Sequence, residues 1–407
     1  MSTSTATAPL QAPSSIAAAR SRLQSIDALR GFVIVLMLLD HVRETFYLHA
    51  QVSDPMDVTA TPPELFFSRL LAHLCAPVFV FLTGLSAWLY AQKHAGDGGD
   101  GRAAASAFLF KRGLFLVLLE LTLVNFAWTF QFPPSVVYLQ VIWAIGLSML
   151  ALAALVWLPR PALALLGLAL VAGHNLLDGL HFPAGHALHV PWAILHDRGW
   201  LEAAQGLRLR TSYPVLPWIG VIALGYAAGP WFGRGTDAAK RQRLLLASGL
   251  GALVLFLVLR AINGYGDKPW VATDSLLANV MGFVNITKYP PSLLFLALTL
   301  GLGLLLLRWL ERCQQAHGGQ LPPALAWLMA FGAAPMFFYL LHLYVLKLLY
   351  LAAVAIWGTN QGQYFGFDGI WAVWLCTIVL AAALYWPVKA FAGFKARRRD
   401  IAWLKYL

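Results

Sequence analysis

Ser25-Ile-Asp-Ala-Leu-Arg30-Gly-Phe-Val-Ile-Val-Leu-Met-Leu-Leu-Asp40-His41-Val-Arg43-Glu44 reads as an apolar helix with charged groups at both ends. His41 stands eleven positions beyond Arg30 and about 20° round the helix from it, so both side chains fall on one stripe roughly 16 Å apart. Asp27 and Glu44 fall close to the same stripe. Ionisable residues inside a membrane helix are costly and by default mark a functional path. Here a permanent cation stands at one end and a titratable imidazole about half a bilayer deeper. The plainer alternative makes Arg30 a topology anchor and His41 a satisfied interior polar group.

Composition sets the class. Of 407 residues, 59% are hydrophobic and only 12% charged, far from soluble proportions, so the chain is a polytopic membrane protein. The net charge of +11 gathers in short clusters beside apolar spans, as the positive-inside rule predicts, and implies no nucleic-acid partner. Cys75, Cys313 and Cys376 are too widely spaced for a disulfide framework or a zinc site.

Residues 1–22, rich in Ser, Thr, Ala and Pro, read as a disordered cytosolic tail, with a transmembrane domain over 23–394 and a basic cytosolic tail over 395–407. The fold class expected is all-α. About ten spans are placed at roughly 29–48, 66–91, 106–127, 136–157, 161–178, 213–232, 243–261, 290–308, 334–357 and 370–391. Ala324–Phe331 is a candidate eleventh, partial helix. The basic clusters Arg20/Arg22, Lys93/Arg102/Lys111/Arg112, Arg160, Arg234/Lys240/Arg241/Arg243, Arg308/Arg312 and Lys395/Arg397/Arg398/Arg399 fall on one side of an alternating count, which predicts both termini in the cytosol. The far-side loop 179–212 gathers His181, His186, His189, His196, Asp197 and Arg198. Their spacing matches no strong metal pattern, and the loop reads as a substrate-facing rim.

Six stretches in order resemble the bacterial relatives of heparan-alpha-glucosaminide N-acetyltransferase, within the wider group of transmembrane acyltransferases. They are Ser25-Ile-Asp-Ala-Leu-Arg-Gly-Phe, His73-Leu-Cys-Ala-Pro-Val-Phe-Val-Phe-Leu-Thr-Gly84, Arg112-Gly-Leu-Phe-Leu-Val-Leu-Leu-Glu120, Tyr213-Pro-Val-Leu-Pro-Trp-Ile-Gly220, Lys288-Tyr-Pro-Pro-Ser292 and Pro335-Met-Phe-Phe-Tyr-Leu-Leu-His342. The first helix is also similar to the Arg-x10-His motif of acyltransferases that O-acylate surface polysaccharides, with Arg30 and His41 in the two places. The resemblance implies a multi-pass protein of the bacterial inner membrane. It would transfer an acetyl group from cytosolic acetyl-CoA, a co-substrate and not a resident cofactor, to an amine or hydroxyl of a glycan or other small acceptor on the far side. A homodimer is an open option.

Acyl transfer needs a base for the acceptor's proton, and histidine titrates in the required range. The donor carries several phosphate charges and needs cations where it enters, for which Arg30, Arg112, Lys111, Lys288 and Arg234 or Arg241 are candidates. His41 is the favoured base, with Asp40 and Glu44 beside it as carboxylates able to set its tautomer. His49 competes, because in the animal enzyme of the family the place of His41 is taken by asparagine and the catalytic histidine lies nearer His49. His73 could face His41 across the first helix pair, and His342 sits between apolar turns. Glu120, with Asn125 beyond it, calls for a buried cation such as Arg43 or Lys288. Lys288-Tyr-Pro-Pro reads as a helix start. Trp128, Trp143, Trp218 and Trp231 read as interfacial belt residues. The rival class is a transporter or flippase, whose buried polar residues would look the same; a sensor without chemistry is a third.

Overall fold

The computed structural model describes residues 15–406 apart from Asp97, Gln205, Arg234 and Arg399. The first fourteen residues of the expected tail, Arg234 and Arg399, and the side chains of Arg20 and Arg22 lie outside the described set. The chain folds as a mostly helical bundle around α1 (Ser15–Phe46), whose backbone is already helical from Ser15. Then come α2 (Pro63–Ala72), α3 (Cys75–Gly96), α4 (Gly101–Leu119), a π-helical turn at Glu120–Val124 and α5 (Asn125–Thr129). Strand β1 (Val136–Leu139) leads into α6 (Val141–Leu155), α7 (Arg160–Gly173) and α8 (His189–Leu195). A hairpin of β2 (Gly199–Ala204) and β3 (Leu207–Thr211) precedes α9 (Leu216–Ala227), α10 (Ala238–Ile262), α11 (Leu276–Val284) and α12 (Leu293–Ala316). The short α13 (Pro323–Ala326) and α14 (Leu328–Ala333) lead to α15 (Pro335–Trp357) and α16 (Ile370–Arg397).

The predicted spans fall mostly on helix, and six helical stretches among the described residues, α1 and α4 not among them, are long and apolar enough to cross a membrane: Pro63–Gly96, Arg160–Leu177, Ala238–Ile262, Leu293–Ala316, Pro335–Trp357 and Ile370–Arg397. Val141–Leu155, Leu216–Phe232 and Pro323–Ala333 are apolar but shorter, the last covering the candidate partial helix. The protein is therefore multi-pass. Buried residues form two main apolar clusters that divide α1: Ile26, Ala28, Leu29 and Val33 pack with α3, α6, α9 and α12, whereas Leu38, Leu39, Val42 and Phe46 pack with α14, α15 and α16.

Close helix crossings are made by glycine. In lipid, apolar surface gains little by leaving the solvent, so helices associate through tight contact between small residues. A Cβ on Gly84 would come 2.0 Å from the Ile222 carbonyl of α9, and one on Gly225 would come 2.0 Å from the Phe81 carbonyl of α3. The same reciprocal arrangement joins α1 to α14 through Gly31 and Gly332, and α4 to α6 through Gly113 and Gly146. Between α10 and α12 the crossing also carries a buried ion pair, with Arg241 Nε 3.0 and 2.9 Å from the two Glu311 carboxylate oxygens.

The structure corrects the all-α expectation. The first four residues of the span expected at 136–157 are β1, and the 179–212 loop contains the hairpin; the three strands form one sheet in the order β1-β3-β2. β1 runs parallel to β3, pairing Tyr138 with Arg210, and β2 runs antiparallel to it. Val136-Val-Tyr-Leu is β-branched and aromatic, and Leu207-Arg-Leu-Arg-Thr alternates with period two, both strand signals that the surrounding helical pattern outweighed. Gly206 closes the hairpin at φ +81, a conformation open to glycine without strain. Lys288-Tyr-Pro-Pro is likewise not a helix start: both prolines precede Ser292, the N-cap of α12, whose hydroxyl accepts from Phe295 N. The turn before it is tied to Asp267, which accepts from Thr287 N and from the Thr287 and Ser292 hydroxyls.

Candidate active site

Where the last turns of α1 reach the sheet, four ionisable side chains lie within five residues. Arg43, 1% exposed, donates from Nε and Nη2 to Asp40 Oδ1 at 3.1 and 2.9 Å and also to Glu44. The other Asp40 oxygen lies 3.5 Å from Lys288 Nζ. A buried guanidinium needs such partners, because an isolated charge taken out of water costs several kcal/mol. Both carboxylates flanking His41 are thereby committed to cations. The expectation that one of them sets the His41 tautomer is overturned.

That role falls to His342. Its Nε2 lies 2.6 Å from His41 Nδ1, the rings stacked with centroids 4.9 Å apart, and its own Nδ1 lies 2.7 Å from the Phe338 carbonyl. A carbonyl only accepts, so His342 Nδ1 carries a proton and, with the ring neutral, Nε2 is an acceptor. His41 Nδ1 must then be the donor, which leaves the lone pair on His41 Nε2. His41 makes no other side-chain hydrogen bond among the described residues, and its ring packs edge-on against Trp128 and Tyr339, with centroids 5.2 and 5.9 Å away.

His41 forms part of the wall between two cavities. The larger, about 770 Å³, is lined by acidic, basic and aromatic side chains, among them Glu44, Arg69, Trp128, Arg198, Arg210 and Tyr289. The smaller, about 90 Å³, is narrow and mainly apolar, lined by Met37, Cys75, Phe79, Ile145, Met336 and Tyr339, with Arg112 on its wall. Asp40, His41, Val141 and Tyr213 line both. Among the described residues, Arg198, Arg210 and Lys347 have no carboxylate within ion-pair reach. Arg198 stacks over the Tyr289 ring at 4.9 Å, Arg210 over Trp200 at 4.8 Å, and Lys347 donates to the Trp128 carbonyl.

The remaining expected residues scatter. His73 caps the end of α2 and is 1% exposed against Phe295; neither ring nitrogen has a partner, and it lines neither cavity. His49 packs beside Tyr47 and Gly366 and is not a lining residue. Three turns before His41, at the middle of α1, Arg30 pairs with Asp27 at 3.0 Å and donates to Ser86. Arg112 has Arg30 and Tyr406 as electrostatic neighbours, and Lys395 of α16 joins the same group, a cation that sequence reasoning left in the tail. Lys111 is exposed.

Glu120 has no cation partner. Its Oε2 accepts from Trp143 N at 3.0 Å in the first turn of α6, where free N–H groups stabilise a carboxylate. Asn125 instead holds β1, accepting from Tyr138 N and donating to the Val136 carbonyl. Trp218 is fully buried, not interfacial. Of the six residues that sequence singled out in the 179–212 loop, only Arg198 lines the larger cavity, which Arg210 and Ser212 of the same loop also line. His196 is locked nearby between Asp178 and Asp197, 3.3 and 3.4 Å away. Burial opposes its charging, but Asp178, the His174 carbonyl and Asp197 together outweigh the burial and raise its pKa above the ordinary imidazole value. No group of three or more His, Cys, Asp or Glu among the described residues could hold a metal ion.

Trp128 and Tyr339, which flank His41, escaped sequence reasoning as site residues. The first looks like a belt tryptophan, and the second lies one turn before His342 without a feature of its own. Residues 22–258, more than half of the chain, match the family model described as "Heparan-alpha-glucosaminide N-acetyltransferase, catalytic". No curated protein matches the chain.

Proposed function

Because the chain belongs to the heparan-alpha-glucosaminide N-acetyltransferase catalytic-domain family, we propose that it moves an acetyl group from acetyl-CoA to an amine or hydroxyl of a glycan across the membrane. The observation that carries this reading is the position of His41 between two cavities of opposite character. A thioester donor entering from the Arg30 end would find Arg30, Arg112 and Lys395 for its phosphates, since guanidinium groups match phosphate oxygens, and a narrow apolar passage suited to its arm. A sugar in the larger cavity would find Trp128, Tyr138, Tyr213, Tyr289, Tyr350 and Tyr364 as stacking or hydrogen-bonding walls, with Arg198, Arg210 and Lys347 for anionic substituents. In this reading the Arg30 end faces the cytosol of a bacterial inner membrane.

Only at the boundary can the two substrates meet, and the unprotonated Nε2 of His41 is there to take the acceptor's proton. His41 is thus the base, His342 its positioning partner, and Asp40 and Lys288 an ion pair that supports the wall. The test is incubation of detergent-purified protein with labelled acetyl-CoA and a panel of amino sugars and neutral glycans. Label should move to an acceptor, and His41→Ala should reduce the rate about 10²–10⁴-fold, the usual contribution of a positioned general base. His49→Ala should retain most activity. Absence of both CoA-dependent stabilisation and label transfer to every acceptor would defeat the reading and favour a transporter.

A further inference from the structure

Removing the acceptor's proton is half of acyl transfer; the other half is holding the negative charge that appears on the carbonyl oxygen. Preorganised donors in a water-poor site usually supply the largest single part of that stabilisation. Two donors beside His41 have no protein acceptor: Trp128 Nε1 and Tyr339 Oη are both buried and without a hydrogen-bond partner. Leaving a buried polar group unpaired costs about 1–3 kcal/mol, so a pair of them side by side calls for a reason.

The two groups bracket the place where the substrates would meet. Trp128 lines the larger cavity and Tyr339 the smaller one, each packed edge-on against the His41 ring. The indole N–H faces the phenol oxygen outside hydrogen-bond geometry, so the two donors lie side by side and neither is satisfied by the other. Lys288 is the rival for the same task, but its ammonium is already compensated by Asp40 at 3.5 Å. Glu120, an electrostatic neighbour of the phenol together with Tyr289, is held by the Trp143 amide and lines neither cavity.

We infer that the Tyr339 hydroxyl and the Trp128 indole N–H form the oxyanion site of the acyl transfer. The inference rests on the acetyltransferase reading. The acceptor nitrogen or oxygen bonds to the thioester carbon while its proton passes to His41 Nε2, and the carbonyl π electrons move onto oxygen, where the two donors stabilise them. On collapse the C=O bond reforms and the C–S bond breaks. The thiolate then takes the proton from His41, giving free CoA and the acetylated acceptor, with no oxidant or reductant required.

Tyr339→Phe removes one oxygen and keeps the ring, so packing against His41 is preserved. With acetyl-CoA and whichever panel acceptor the wild type uses, kcat should fall about 10²–10³-fold while the KM for acetyl-CoA changes little. Trp128→Phe should behave alike, and it carries the test if Tyr339→Phe does not fold. Unchanged kcat in a folded variant of either residue, or a loss confined to KM, overturns the inference while leaving the acetyltransferase reading intact. Absence of wild-type turnover with every acceptor defeats the reading and the inference together.

Discussion

His342 gives His41 a defined tautomer through a chain of two hydrogen bonds that begins at the Phe338 carbonyl. Replacing it with phenylalanine preserves bulk but leaves the His41 Nδ1 proton without an acceptor, freeing the ring to rotate or to present the wrong nitrogen. His342→Phe should cost about ten- to a hundredfold in kcat, the worth of one buried hydrogen bond to a group that becomes charged. His342→Gln, whose amide oxygen can accept from Nδ1, should recover part of the loss. Equal rates in both variants would show that His342 only fills space. Lys288 illustrates the opposite lesson at this scale: sequence assigned it to the donor's phosphates, whereas here its ammonium faces Asp40.

At the level of elements, the bundle depends on backbone approaching backbone. Gly225→Ala would drive a methyl group into the Phe81 carbonyl, which cannot rotate away as a side chain would, so α3 and α9 must separate. Overpacking of this kind costs about 1–3 kcal/mol, and the variant should unfold at lower temperature in detergent. Gly251→Ala on α10 is the control: nothing lies within 4 Å of the added carbon. There the melting temperature should hold or rise slightly, because alanine is the better helix former. Similar losses at both positions would count against the close-crossing account. The π-helical turn at Glu120–Val124 belongs to this scale too, since it precedes the segment that brings Trp128 to His41.

Across the whole molecule the two cavities lie on either side of His41, so function depends on which mouth faces which compartment. The short basic loops predict that the Arg30 side faces the cytosol. Reporter fusions at Gly98 and at Gly185 should then give opposite signals, the first cytosolic and the second external. Equal signals would reverse or break the proposed path of donor and acceptor. Among the described residues six helical stretches meet the length and apolarity of a span, while α6 and α9 are shorter and packed largely inside the bundle. An apolar helix can be read from sequence, but whether its face meets lipid or another helix depends on its neighbours.

Sequence alone determined the membrane class and the helical frame, and it singled out the Arg30–His41 stripe, because hydropathy and helical period are local properties. It also marked His342, since a histidine among apolar turns is costly wherever the chain leads. What it left open were partnerships across the bundle. Whether Glu120 meets a cation or a helix N-terminus, and whether Asp40 serves His41 or Lys288, depends on side chains far apart in the chain. The strands at 136–139 and 199–211 were missed for a related reason: each is short, and only their assembly beside α1 pairs their backbones. Trp128 lies in none of the six stretches, and Tyr339, although inside Pro335–His342, has nothing in sequence to set it apart from its neighbours. Their unpartnered donors become visible only once tertiary packing sets them around His41.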